Sequence, residues 1–161
     1  MRKRKWPGSP LCSFCSQVET NNHLFFQCGV AKCAWGVMGK TIGANCCPNN
    51  VWQAMAWFHA FLPHGDRFHM VGFAAICWAI WKTRNRVTFE KYKLRSPAEI
   101  WFLASSLISY WAGLQKPQDK KILTEGAAKM RETATTLSRN QHAGAAETAM
   151  MVISSVLSSE T

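Results

Sequence analysis

The chain has 161 residues, 48 % of them hydrophobic, and carries 19 Lys and Arg against 9 Asp and Glu, a formal net charge of +10. One domain, or one small domain with appendages, fits that length, which is enough to bury a sizeable core. The longest apolar run, "FHMVGFAAICWAIW" at 68–81, falls short of the roughly 20 residues a spanning helix needs and contains His69, so a membrane role is not expected.

Charge and aromatic content are unevenly distributed. Residues 1–114 hold 13 Lys and Arg against 4 Asp and Glu, whereas residues 115–161 hold 6 against 5. All eight tryptophans, Trp6, Trp35, Trp52, Trp57, Trp78, Trp81, Trp101 and Trp111, lie in the first part, and no aromatic residue follows Trp111. A basic, aromatic-rich part favours nucleic acid or another polyanion as partner; the alternative is a merely soluble basic surface. "MRKRKWPGSP" is charged but no apolar run of signal-peptide length follows, so an intracellular location, with the nucleus as an option, is expected. Seven cysteines in a reducing compartment point to thiols or metal ligands before disulfides.

Residues 1–10 are basic and broken by Pro7, Gly8 and Pro10, hence extended. The cysteine segment follows, with room for a short hairpin. "VAKCAWGVMGKTI" predicts a helix with Val30, Ala34, Val37 and Met38 on one side. "GANCCPNN" is a loop, and Asn50 is placed to cap "VWQAMAWFHAFL", whose Val51, Met55, Phe58 and Leu62 fit helical spacing. "PHGD" stops that helix, and Asp66 is placed to cap the next.

The third helix is expected from about Arg67 to Arg86, with Met70, Phe73, Ala74, Cys77, Ile80 and Trp81 on one stripe. It is apolar nearly all round, as a central helix would be. A basic stretch follows, from Lys82 to Arg95. Ser96-Pro97-Ala98-Glu99 then reads as a capping box with Pro at the first helical position. Ile100, Leu103, Leu107, Tyr110 and Trp111 make the apolar face of that fourth helix, and Gly113 and Pro117 end it. In the tail, Leu123, Ala127, Met130, Ala134 and Leu137 lie at helical spacing and predict a weak amphipathic helix.

The expected architecture is mainly α: a small CCHC zinc-binding module, about four helices and a loosely ordered tail. The divisions fall at 1–40, 41–114 and 115–161, the last weakly helical or disordered.

Cys12, Cys15, His23 and Cys28 spell C-x2-C-x7-H-x4-C. A CxxC turn lets two thiolates reach one ion from a single bend, and the His and the third Cys return from the other arm. Three thiolates and one imidazole are a common structural set for Zn²⁺, and with all four positions taken the ion would hold the fold rather than do chemistry. The alternative has the cysteines as small buried hydrophobes and His23 as a packed core histidine. Cys33, five residues past Cys28, is a candidate substitute ligand. Phe14, Leu24, Phe25 and Phe26 surround the ligands, either as base-stacking aromatics or as the miniature core such a unit needs.

The stretch "WPGSPLCSFCSQVETNNHLFFQCGVAKCAW" closely resembles the zinc-binding in reverse transcriptase domain. That domain is found at the C-terminal end of plant LINE-type (non-LTR) retrotransposon polyproteins. The resemblance rests on Cys12, Cys15, the acidic Glu19, His23-Leu24-Phe25, Cys28 and Trp35, and covers about residues 1–35. "ICWAIWKTRNRVTFE" at 76–90, with Trp78, Trp81, Arg84-Asn85 and Phe89-Glu90, resembles the segment that follows this domain in such elements. The resemblance implies a nucleic-acid-handling polyprotein. Polymerase would lie upstream and a ribonuclease-H-like domain downstream, so a truncated or domesticated fragment of a retrotransposon is expected.

Catalysis is not expected. Two-metal phosphoryl chemistry needs several carboxylates around the ions, and the chain has two aspartates, Asp66 and Asp119, neither beside a second acid. His59, His64 and His69 recur every five residues, about 500° of helical rotation, and so share no helix face. The expected function is non-catalytic binding of an RNA or DNA backbone. Arg2, Lys3, Arg4 and Lys5 form one basic segment and Lys82, Arg84 and Arg86 a second. The first segment also reads as a solvated face or a nuclear localisation patch. The alternative function is a protein-interaction or scaffolding fragment with a structural zinc, offering its Trp-rich helices to a protein partner.

Overall fold

The computed structural model describes residues 9–44, 47–61 and 66–158, with side chains described to residue 140. The basic run Arg2 to Lys5, Trp6, Cys46, Leu62 and His64, and the side chain of Asp66, lie outside what is described.

From Pro10 to Glu19 the chain forms a tight hairpin. Leu11 and Val18 make an antiparallel bridge, Cys12 N–H donates to the Gln17 carbonyl at 2.7 Å, and Glu19 N–H to that of Pro10 at 2.9 Å. A π-helical turn, His23–Gln27, follows. Five α-helices succeed it among the described residues: α1 (Gly29–Thr41), α2 (Val51–Phe61), α3 (Asp66–Phe89), α4 (Ala98–Ala112) and α5 (Pro117–Ser158). The mainly α fold expected from the pattern is what forms, with the tail itself helical.

Helix starts follow local chemistry. Asn50 Oδ1 accepts from Gln53 N–H at 2.9 Å, the expected cap of α2. At α4, Ser96 Oγ accepts from Ala98 N–H at 3.2 Å. Glu99 reaches back one residue further than expected, to Arg95 N–H at 3.1 Å, because its other oxygen accepts from the Tyr92 hydroxyl. Gly113 caps α4, and Pro117, expected only to follow that helix, opens α5. Its missing N–H is no loss there.

The buried faces match the expected stripes in part: Ala34, Met38, Phe58, Ile80 and Ile100 are in the core, and Met55, Phe73, Cys77, Leu103, Leu107 and Trp111 pack on it. On α1 the core side is Ala31, Ala34, Trp35 and Met38, with Val30 and Val37 at its edges. On α2, Ala54 and Phe58 are buried while Val51 is exposed. On α3 the core face is His69, Ala75, Ile76, Ala79, Ile80, Thr83 and Arg84, whereas Met70, Ala74 and Trp81 of the expected stripe face outward. On α4 it is Ile100, Trp101, Ala104, Ser105, Ile108 and Ala112, and Tyr110 is exposed. A helix that is apolar nearly all round offers several equivalent stripes. The faces that turn inward combine large side chains, Trp35, Ile76, Ile80, Ile100 and Trp101, with alanines that let neighbouring backbones approach. The tail's expected stripe of Leu123, Ala127, Met130 and Ala134 is buried as its spacing implies, and α5 packs along α4 and α1.

One cluster of buried apolar residues runs from Cys12 to Ala134. Trp35 sits in it with no exposed surface. Its ring stacks on Phe26 (centroids 5.6 Å apart, planes at 12°), lies 5.8 Å from Phe73 of α3 and meets Phe58 of α2 edge-on. The indole N–H donates to the Phe25 carbonyl at 2.6 Å.

Two polar ties join the hairpin to α3. Arg84 grips Glu19 through both terminal and secondary nitrogens, at 2.8 and 3.2 Å, and the side chains are only 3 % and 8 % exposed. Ser13 Oγ lies 2.6 Å from Thr88 Oγ1, and Thr88 in turn donates to the Arg84 carbonyl. Removing one partner of a buried ion pair strands the other charge, at a cost of about 3–5 kcal/mol. Arg84→Met is therefore expected to lower unfolding free energy in urea by that order. Glu19→Gln combined with Arg84→Met is expected to recover most of the loss.

Candidate metal centre

The four donors come from two short pieces of chain. Cys12 and Cys15 lie on the hairpin turn, where Ser16 N–H donates to the Cys12 carbonyl at 2.8 Å. Ser16 closes the turn at φ 59°, a left-handed conformation that costs a non-glycine residue about 1–2 kcal/mol. The chain accepts this strain, and the turn brings the two thiols back toward one point.

His23 and Cys28 come from the π-helical turn. Five residues carry an α-helix through about 500°, which would point the two side chains in different directions. Here the Cys28 N–H donates to the His23 carbonyl, five residues back, at 2.7 Å. That wider turn brings a residue and its fifth successor onto one side. Cys28 then breaks to an extended conformation (φ −59°, ψ 141°) and starts α1.

The result is convergence. One ligand atom from each of Cys12, Cys15, His23 and Cys28 lies within 4.8 Å of every other. Cys12 Sγ and Cys28 Sγ are 3.9 Å apart, and Cys15 Sγ is 3.2 Å from His23 Nε2. A tetrahedral ion with S and N bonds of about 2.3 and 2.0 Å would set neighbouring donors about 3.5–3.8 Å apart. The donor set and its spacing fit such an ion. Cys12, His23 and Cys28 are buried while Cys15 lies at the surface.

Two opposing influences act on these sulfurs. Burial pushes the Cys28 thiol up to about 12, and burial likewise raises that of Cys12. Backbone groups act the other way, at Val30 on Cys28 and at Phe14 and Cys15 on Cys12. Peptide dipoles aimed at the sulfurs favour thiolates, and a cation among them would complete that bias.

Cys33, the candidate substitute, is exposed on α1 and outside the cluster of four. Cys47 lies in the loop before α2, its Sγ 3.3 Å from the Lys32 carbonyl. The thiol of Cys77, largely buried on α3, is pushed up to about 12. Phe26 and Leu24 are buried and Phe14 and Phe25 half-buried, all part of or packed on the common core. His59 and His69 share no face of one helix, yet α2 and α3 bring their rings to 5.2 Å, edge to face.

The second basic segment divides. Lys82 is exposed. Arg86 is half-covered: its guanidinium lies over the Tyr92 ring at 3.9 Å and 3.6 Å from Glu90. Arg84, expected to face phosphates, is instead buried against Glu19. Two signals pointed to that role. Glu19 is the one acid in the first 65 residues, and Arg84 follows Ile76 and Ile80 at four-residue steps along the core face of α3.

No helix among the described residues is long and apolar enough to cross a membrane. No curated protein and no solved structure gives a significant match to the chain. Residues 1–35, which carry all four donors, Glu19 and Trp35, match the family described as zinc-binding in reverse transcriptase.

Proposed function

We propose that Cys12, Cys15, His23 and Cys28 hold one Zn²⁺ as a closed structural site. The chain binds the backbone of RNA or DNA through its basic surface without catalysing a reaction. The observation that carries this reading is the convergence of three thiols and one imidazole within 4.8 Å. Bound zinc would supply four bonds tying the hairpin to the π-helical turn, and no position is left for a reacting water.

The family matched by residues 1–35, zinc-binding in reverse transcriptase, supports zinc as the ion and kinship with reverse transcriptases; descent from a retrotransposon is part of the proposal. The nucleic-acid part rests on charge. Residues 67–95 contain seven Lys and Arg and a single acid, Glu90. Lys82, Lys91, Lys93 and Arg95 are exposed, and Arg2 to Lys5 add four more cations. The scarcity of carboxylates supports a non-catalytic role.

A second reading, a protein-interaction module with the same structural zinc, draws on the large apolar side chains of Trp52, Tyr110 and Leu114. All three are left exposed on or just beyond α2 and α4.

Two measurements test these readings. Native mass spectrometry is expected to find one zinc per chain in the wild type and in Cys33→Ala, and none in Cys15→Ala. A zinc-free wild type, prepared with zinc present, would overturn the site. Fluorescence anisotropy of labelled RNA and DNA is expected to show affinity falling steeply between about 50 and about 200 mM salt. Lys82→Gln is expected to flatten the slope of log K against log salt by about 0.7–0.9. Zinc-loaded protein without salt-dependent binding would leave the interaction module as the better reading.

A further inference from the structure

We infer that Trp78 and Trp81, on the outer face of α3, form a stacking platform for the bases of a single-stranded nucleic acid. This rests on the nucleic-acid reading above and names the strand form and the surface that takes it.

Four observations meet here. First, the two indoles lie side by side, centroids 5.0 Å apart with planes tilted by 39°, yet they are 49 % and 42 % exposed. The fully buried residues of the same helix, Ala75, Ile76, Ala79 and Ile80, lie on the opposite side. Second, Trp81 forms one wall of a groove of ≈ 670 Å³ lined also by Pro10, Val18, Thr20, Leu24 and Phe25. That is the scale of small-ligand clefts, about 300–1,000 Å³, and its lining mixes apolar side chains, which suit a base face, with the polar Ser9, Thr20 and Asn21, which suit its edges.

Third, the charge is right for a phosphate chain. Glu19, the acid in the groove wall, is neutralised by Arg84. Lys82 is exposed directly beside Trp81 and one helical turn from Trp78. Lys91, Lys93 and Arg95 continue the cationic track past the end of α3, also exposed. Fourth, Asn85 follows Trp78 and Trp81 on the same helical face and is only half-buried, offering an amide at the end of the platform.

Alternating ring faces and cations suit a strand whose bases are free to turn outward. A duplex keeps its bases stacked on each other and would meet only the cations. The same aromatic pair set against a protein would bring Lys82 into the interface, where lysine is disfavoured.

The test uses the full, zinc-loaded chain with oligouridylate and oligothymidylate of about 12 nucleotides, inside the usual range of single-strand sites, and a duplex of equal length. Trp81→Ala is expected to weaken single-strand binding about 5- to 100-fold and Trp81→Phe to keep most of it. Duplex affinity should be unchanged in both. Wild-type tryptophan fluorescence is expected to be quenched by the single strands and not by the duplex. That readout stands even if an Ala variant loses helicity by circular dichroism. Equal loss of single-strand and duplex binding, unchanged single-strand binding in Trp78→Ala and Trp81→Ala, or absent quenching would overturn the platform alone. So would a wild-type dimer that Trp81→Ala turns into a monomer, since the pair would then be a self-association surface. Failure of the wild type to bind any of the three probes would overturn the nucleic-acid reading as well.

Discussion

The indole of Trp35 holds the chain together. It leaves α1, lies flat against Phe26 of the π-helical turn, touches Phe73 of α3 and Phe58 of α2, and donates its N–H to a carbonyl of the cysteine segment. A side chain this large reaches several elements at once and stabilises the packing of each through apolar burial and ring contact. Its single donor would be costly if left unpaired in the core. The Phe25 carbonyl meets that need and in doing so fixes where the π-helical turn sits relative to α1.

Around this indole, the cysteine module is built onto α3 rather than beside it. The ring stack at Phe73 and the pairs at Arg84 and Thr88 are spread over about 22 Å of one helix. A small metal module has little apolar surface of its own, and here it shares the core of the helices. The buried Arg84–Glu19 pair adds orientation more than net stability, since desolvation offsets much of its attraction. Two charges that must meet inside the fold allow only one seating of the hairpin on α3.

Sequence pattern carried the elements further than the faces. Asn50, Ser96 and Glu99 announced helix starts because capping is local chemistry between neighbours in the chain. The tail stripe Leu123, Ala127, Met130 and Ala134 was legible because its apolar residues are few and regularly spaced. On α3 the pattern held only in part, for the opposite reason. Apolar residues surround that helix: Ile80 of the expected stripe is in the core and Phe73 and Cys77 pack on it, but Ala75, Ile76 and Ala79 face inward where Met70, Ala74 and Trp81 do not. In the candidate metal centre, sequence spacing singled out Cys12, Cys15, His23 and Cys28, the four residues whose donor atoms converge. The π-type bond that aligns His23 with Cys28 had no local signature. Arg84 was misread because charge alone suggested solvent, while its partner Glu19 lies 65 positions away in the chain.

The π-helical turn also fixes the direction in which order can spread. Its C-cap residue, Cys28, is at once one of the four converging donors and the residue from which α1 departs. An ion gripping that sulfur would therefore act as a nucleus for a helix. The first turn of a helix is its costly step, because several dihedrals are fixed for one hydrogen bond. With Cys28 pinned, that entropy is lost in binding the ion, and Trp35 lies only two turns further along α1. Metal availability would then govern when the core begins to assemble as well as how firmly the finished module holds.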